Sequence, residues 1–310
     1  MKDIARNNYW SPKVVHMTNE ETGGRVKMAI ADLKYKALLK EVLDEGEWDT
    51  DGKVRPVYAD GTPAYSKSIF GVQVKFKQGE LPIITSKHTP VQSSINEVIH
   101  AFFRLKVNRI EDFEKLGINY WKEWGMSDHT IGRSYAYQLK NQKEAVLFNG
   151  KQHLLDQVDN ILYNLKHNPY SRRIMFAYWN PEDVNRKSLQ ECAWAGQFNV
   201  RNNRLDFNLI QRSVDSLLGL PTNWAGYYGL QCALANIFDY DIGTFTHQMG
   251  NVHLYDNQLE LAEKVLNAPE YEQPKLWVNP KIKNFYDYGV NDILLKNYKH
   301  GEKIRSGVAI

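Results

Sequence analysis

The stretch NLIQRSVDSLLGLPTNWAGYYGLQ, residues 208–231, runs from a strand end through a dense polar cluster and a Gly-Leu-Pro turn into an apolar, helix-like segment. In the cluster, an arginine stands beside a serine, a pairing that suits a phosphate: the guanidinium of Arg212 offers a planar fork of donors and Ser213 adds a short one. Gln211 and Asp215 flank them. Asn223 carries one acceptor and two donors, enough to pair with the edge of a nucleobase amide. Alone, the segment reads equally well as a solvated turn with a helix cap.

Outward from this stretch, strands and helices are interleaved. Residues 171–210 hold three apolar, β-prone runs, RRIMFAYW, AGQFNV and LDFNLI, the last two joined by a hairpin-like turn at 201–204. Residues 227–237 read as helix, with Gly243 as its terminator. Helical spacing also appears over 26–43, over 91–103 with Ser93 or Ser94 as cap, and over 152–165. Residues 68–76 alternate, placing Phe70, Val72, Val74 and Phe76 on one face of a half-buried strand. The strands are too widely separated for a sandwich, and no Gly-rich dinucleotide fingerprint follows one of them. The expected architecture is therefore α+β: a single large domain over 28–310, with a mixed sheet packed by helices, after a polar extension over 1–27.

Composition narrows the function classes. Of 310 residues 43% are apolar, which suits a large core, and the net charge of +3 is too small for a dedicated nucleic-acid binder. No stretch approaches the roughly 18 apolar residues of a spanning helix, so no membrane role is expected. The two cysteines, Cys192 and Cys232, lie too far apart in sequence for a metal or redox motif and point to a reducing, cytoplasmic setting. Cys232 lies in an apolar helical run and reads as a core residue; Cys192, in LQECAWAGQF, has polar and aromatic neighbours. Aromatics make up 12% of the chain, and large flat side chains suit both cores and pockets for planar ligands.

QRSVDSLLGLPTNWAGY closely resembles the nucleotide-binding signature of thymidylate synthases, and other motifs follow in the family's order. SINEVIHAFF resembles the helix that bears a catalytic glutamate, here Glu97. NYWKEW and DHTIGRSYAYQL resemble the folate-side tryptophans, Trp121 and Trp124, and the active-site tyrosine stretch with Tyr135. SRRIMFAYWNP resembles the paired-arginine strand, LQECAWAGQF the nucleophile strand, and NVHLYDNQLELA the element with His253 and Tyr255. The ending Val308-Ala309-Ile310 is similar to the family's closing tail.

The resemblance implies reductive methylation of dUMP to dTMP by 5,10-methylenetetrahydrofolate, with no metal and no flavin. Cys192 would add to uracil C6 and turn C5 into a carbon nucleophile. At pH 7 a thiol of pKa about 8.5 is only about 3% thiolate, and Arg212 is expected to help lower that pKa. Phosphate would be held by Arg212 and Ser213, by Arg55, and by Arg172 and Arg173 reaching across a homodimer whose sheet faces meet. Asn223, beside Gln211, would read uracil; Glu97, Tyr135 and His253 would order water and move protons; Tyr255 would hold the ribose. Trp121, Trp124, Asp215, Leu218, Gly219, Thr222 and Ala309 would line the folate side.

The chain departs from the family pattern at four places. Ala193 follows the nucleophile where His is usual, Thr222 stands for Phe, His100 for Trp, and Ala136 for Gly. A more polar, wetter pocket is the expected result. The alternative reading from the same superfamily is a dUMP hydroxymethylase, in which water rather than hydride captures the methylene; a Cys192/His253 hydrolase is a remote alternative without an oxyanion hole or base orienter in any motif.

Overall fold

In the computed structural model, which describes residues 29–50, 56–148 and 150–307, helix α1 (Ile30–Glu45) leads into a two-residue strand β1 (Glu47–Trp48) and the long strand β2 (Ser66–Phe76). Helix α2 (Val91–Ile95) widens directly into a π-helical segment (Asn96–Arg104), followed by the short helix α3 (Ile110–Lys115), a 3-10 turn (Tyr120–Trp124) and α4 (Ala136–Asn141). A hairpin, β3 (Lys143–Phe148) and β4 (Lys151–Asp156), precedes helix α5 (Gln157–His167). Then come β5 (Met175–Ala177), β6 (Ala193–Arg201), β7 (Arg204–Asp215), α6 (Gly219–Ile237), β8 (Asp241–Tyr255), α7 (Leu259–Leu266) and the pair β9 (Lys275–Val278) and β10 (Ile293–Lys296).

Six strands form one sheet in the order β1-β2-β8-β7-β6-β5. All neighbours are antiparallel except β7 and β8, which run parallel with α6 as the crossover between them, so the sheet is mixed. The β6–β7 hairpin turns at Asn202 and Asn203, with φ 49° and 58°, the left-handed pair that a two-residue turn of matching twist requires. One sheet face is core: Val74, Phe76, Phe198, Leu205, Phe207, Leu209 and Phe245 are buried. Helix α6 is apolar on nearly every side and largely enclosed, as such a helix must be. At Gly226 a Cβ would lie 2.7 Å from the Ser94 carbonyl oxygen, so glycine is what lets α2 approach α6. The opposite sheet face presents Gln73, Gln197, Asn199, Asn208, Ile210 and Gln248, half-buried or exposed.

Several sequence expectations are corrected. Phe70 is 81% exposed whereas Val72, Val74 and Phe76 are buried: Gly71, at φ 83°, breaks the alternation between them. The helix expected over 152–165 starts only at Gln157, because Asp156 accepts hydrogen bonds from the Val158 and Asp159 N–H groups and caps it there; 152–156 belong to β4. Ser93 and Ser94 do not cap α2; the Ser94 hydroxyl donates back to the Pro90 carbonyl at 3.0 Å. Gly243 lies inside β8 rather than ending a helix. Within RRIMFAYW only Met175–Ala177 is strand, and both arginines stand on the preceding turn. The extension expected over 1–27, Arg55 and the ending 308–310 with Ala309 lie outside the described residues.

Candidate active site

The site gathers where β6, β7 and β8 are irregular. The register shifts between Ala193 and Ala195, and the Arg212 N–H donates to the Cys192 carbonyl at 2.8 Å. At Gly250 on β8 a Cβ would lie 2.6 Å from the Arg212 carbonyl oxygen, a close approach that glycine permits. These distortions re-aim side chains at the ends of three neighbouring strands, which regular alternation cannot do.

Cys192 is partly buried, and its N–H donates to the Tyr135 hydroxyl at 3.1 Å. Tyr135 is held at φ 35°, in the left-handed region, and its ring stacks on Phe102 at 4.7 Å between centroids. A backbone outlier of this kind persists only where surrounding contacts enforce it. Arg212 donates through Nε to the Glu191 carbonyl (2.9 Å) and through a terminal nitrogen to the Gln190 carbonyl (3.0 Å), so both bonds pin the guanidinium to the loop that precedes Cys192. Its other face lies 5.9 Å from the Trp179 ring centre.

Arg212 acts to lower the Cys192 pKa, but the net shift is upward. Burial pushes the thiol up, the Glu191 and Asp215 carboxylates add to that, and Arg212 opposes them without reversing the outcome. In the protein by itself Cys192 is a thiol. Cys232 is buried inside α6 and its thiol is pushed up to about 12 by burial, the core residue expected.

Glu97 is half-buried in the first turn of the π-helical segment, and desolvation of its carboxyl raises the pKa to about 7. Trp121 Nε1 donates to its Oε1 at 2.6 Å, and Tyr120 also bonds to it. Tyr178 and Tyr227, joined through their hydroxyls at 3.3 Å, feel the Glu97 charge, and Tyr227 also feels that of Cys192. Glu97 and Cys192 thus flank one buried ring cluster. Trp121 is accordingly buried in that cluster, while Trp124 is half-buried beside it at 5.9 Å.

On the other side, His253 Nδ1 and Asn251 Oδ1 are 2.8 Å apart, which puts the imidazole proton on Nδ1 and leaves Nε2 as acceptor. Burial lowers the His253 pKa; Asp215 opposes this and Arg212 adds to it. Tyr255 meets the His253 ring edge-on at 5.0 Å. Asp215 accepts from the Leu217 and Leu218 N–H groups at 2.8 and 2.7 Å, and from Gln258 at 2.8 Å, so the carboxylate sets the entry into α6 at Gly219. Asn223, four residues further on, donates to the Gln211 side-chain oxygen at 3.0 Å. Ser213 is half-buried on β7.

Two departures act differently from the expected wetter pocket. The Thr222 hydroxyl donates to the Gly219 carbonyl at 2.6 Å, within its own helix. His100 is fully buried, with neither ring nitrogen hydrogen-bonded and its pKa pushed down to about 4 by burial. Ala136 is buried as well.

Arg172 and Arg173 are not brought to this cluster. Both are exposed, and the Arg172 carbonyl accepts from Gln197 on β6, five residues beyond Cys192, or about 17 Å along an extended strand. Sequence reasoning missed Lys87, which is buried with its ammonium held down to about 8, Asp215 being the charge that opposes this. It also missed the ion pair of Lys187 with Glu191, 2.8 Å and fully enclosed immediately before Cys192. The i,i+4 spacing in KSLQE was its only trace in the sequence. Among the described residues no group of three or more His, Cys, Asp or Glu is placed to hold a metal ion, and no helix is long and apolar enough to cross a membrane.

A family model described as thymidylate synthase matches residues 33–310. A thymidylate synthase from Bacillus licheniformis is 36% identical over 284 residues, covering 91% of this chain and 100% of the relative. Thymidylate synthase 1 of Bacillus subtilis strain 168 is 34% identical, covering 90% and 99%. The solved structure of the thermostable thymidylate synthase A from Bacillus subtilis superposes with a TM-score of 0.84 at 33% identity, covering 90% of this chain and 99% of that one.

Proposed function

The chain belongs to the thymidylate synthase family, and from that premise we propose that Cys192 is its nucleophile, with Arg212, Glu97, Tyr135, His253 and Asn223 placed around one dUMP. The reaction is reductive methylation of dUMP to dTMP; 5,10-methylenetetrahydrofolate supplies the one-carbon unit and the hydride and leaves as dihydrofolate. The family comparison does not favour the hydroxymethylase alternative.

The observation that carries the residue assignment is the pinning of Cys192 between Tyr135 and Arg212 at the kinked end of the sheet. On this reading the Cys192 sulfur bonds to uracil C6, C5 becomes the carbon nucleophile, and elimination of the sulfur at the end restores the C5–C6 double bond. The neutral thiol of the free protein has to lose its proton first. Arg212 supplies the nearby positive charge, while the bound phosphate competes with Gln190 and Glu191 for the same guanidinium. Glu97, raised to about 7 in an apolar cage, is suited to hold and return a proton near neutral pH through ordered water at the O4 side of the base. His253 presents Nε2 as an acceptor from the opposite side, and Tyr255 beside it fits the ribose hydroxyl.

The folate side fits the residues present. Trp124 Nε1 is buried and has no hydrogen-bond partner among the described residues, a donor available to a heterocycle, and Leu218 and Gly219 sit at the start of α6 beside it in the assignment. Asp215, already accepting three N–H bonds, would contribute its remaining lone pair. Thr222 contributes its methyl rather than its bonded hydroxyl. Arg55 and Ala309 stay assigned to phosphate and folate by resemblance. We assign the chain to a dimer, as the family resemblance implies, with Arg172 and Arg173 at the partner's phosphate, since Arg172 lies well along β6 from its own Cys192. With both cysteines free, the compartment proposed is the cytoplasm.

The test is covalent capture. With dUMP and methylenetetrahydrofolate the protein forms dTMP and dihydrofolate, followed by product mass and absorbance. Cys192→Ser should still bind dUMP but give no product and no protein–nucleotide adduct by mass. Turnover retained in that variant removes Cys192 from the mechanism.

A further inference from the structure

Resting on the assignment of Asn223 to the base, we infer that Trp224 and His247 form a buried hydrogen-bond relay that fixes which way the Asn223 amide faces, and so sets uracil against cytosine. Trp224 Nε1 lies 3.1 Å from His247 Nδ1, and an indole nitrogen can only donate. His247 Nδ1 is therefore the acceptor, and the ring proton sits on Nε2. That nitrogen lies 3.0 Å from Gln211 Oε1, which receives the proton and is thereby fixed as the oxygen end of the amide. The nitrogen end of Gln211 donates to the Ser213 carbonyl at 2.9 Å. Facing an oxygen that is already defined, Asn223 must turn its Nδ2 toward Gln211, at 3.0 Å.

Each polarity in the chain follows from the one before, beginning at a group with no choice. Trp224, His247 and Gln211 are all buried, so water cannot substitute for a broken link. Burial holds the His247 pKa down to about 3, keeping a neutral ring at any working pH. The consequence at the mouth of the relay is chemical. With Nδ2 committed on one side, Asn223 presents Oδ1 and its second Nδ2 hydrogen as an acceptor–donor pair. Uracil N3–H and O4 complement that pair; cytosine, with an acceptor at N3 and a donor at N4, needs the flipped amide. The flipped amide would set two oxygens against each other at Gln211. Trp224 and His247 touch no substrate and act as positioning residues.

The test uses the full-length protein and nucleotides alone. Trp224→Phe keeps the ring but removes the donor, freeing His247 to take either tautomer. In 15N spectra of histidine-labelled protein, His247 should be a single Nε2–H tautomer in the native chain and a mixture in the variant. By calorimetric titration, the ratio of dCMP to dUMP dissociation constants should narrow by about five- to tenfold, the scale of one lost buried hydrogen bond. His247→Leu should narrow the ratio as well, which keeps the test open if Trp224→Phe does not fold, and His247→Gln, which retains an N–H donor, should keep it wide. Equal loss of affinity for both nucleotides, or an unchanged ratio with a single tautomer in Trp224→Phe, overturns the relay. A native protein that binds dUMP with an unmoved ratio in the variants refutes this inference alone, whereas one that binds neither nucleotide refutes the pocket assignment and the relay together.

Discussion

Glu97, proposed to hold and return a proton, sits where its charged form carries a stability cost. An enclosed carboxyl with a pKa near 7 is neutral at low pH and charged only against the opposition of its apolar surroundings. Its folded pKa is raised above the unfolded value of about 4.5, so the folded state binds the extra proton between about pH 4.5 and 7, and stability declines across that window as pH rises. Above pH 7 the full penalty, about 3 kcal/mol for a shift of this size, is present. Glu97→Gln keeps an oxygen to accept from Trp121 and carries no charge. Denaturant titration should find this variant more stable than the native protein by about 3 kcal/mol at pH 8 and nearly equal at pH 4, with turnover lost; a variant equally stable at both would show that Glu97 ionises without penalty. Cys192 gives a second residue-scale prediction. With its thiol raised, alkylation by iodoacetamide in the free protein should be slow at pH 7 and rise only at alkaline pH, and Arg212→Met should shift that rise further upward. A rate already maximal at pH 7 would mean that Arg212 outweighs burial.

At the scale of elements, the segment 187–191 decides how Cys192 enters β6. Lys187 and Glu191 form an enclosed ion pair, with both carboxylate oxygens at 2.8 and 2.9 Å and a third bond from Ser134 at 3.1 Å. The carbonyls of the same segment hold Arg212, so the proposed nucleophile and the proposed phosphate ligand share one support. Lys187→Met leaves a buried carboxylate unpaired and should cost about 3–5 kcal/mol, whereas pairing it with Glu191→Leu should recover much of that loss; chemical denaturation of the single and double variants measures both. The elements also show what the chain discloses in its sequence. Helical spacing located α1 and α2 and alternation located β2, because each has a core side and periodicity reports sidedness, while the apolar run over 227–237 disclosed α6. The β3–β4 hairpin escaped notice since it is largely exposed, and Leu147 and Leu154 leave no alternation to read. The π-helical turns around Glu97 and the close approach at Gly250 escaped for a different reason: neither follows from the local spacing of apolar residues, and at Gly250 a neighbouring strand sets the demand. Site residues were legible through motif order, while Lys87, outside any motif, was not, and Trp179 and Gln258, inside two of the motifs, had no role assigned to them.

At the scale of the whole molecule, the sheet faces two ways. Its inner face carries the core, and its outer face mixes polar residues with Ile210 and ends near the exposed Phe70, a surface better suited to a partner sheet than to bulk water. Arg172 and Arg173 emerge beside the middle of β6, about 17 Å along the strand from Cys192. Two subunits related by a twofold axis with outer faces together would exchange those residues, so that each active site takes its cysteine from one chain and this arginine pair from the other. Shared sites make a strict prediction for mixtures. Cys192→Ser and the double variant Arg172→Glu/Arg173→Glu should each be inactive alone. After joint unfolding and refolding at equal amounts, random pairing makes half the dimers mixed, each with one complete site and one lacking both contributions, so activity should recover to about a quarter of the native value. Mass spectrometry of the refolded mixture counts the mixed dimers directly. Mixed dimers without recovered activity would show that the arginines serve the site of their own chain, and recovery well above a quarter would show that the arginine pair is not required.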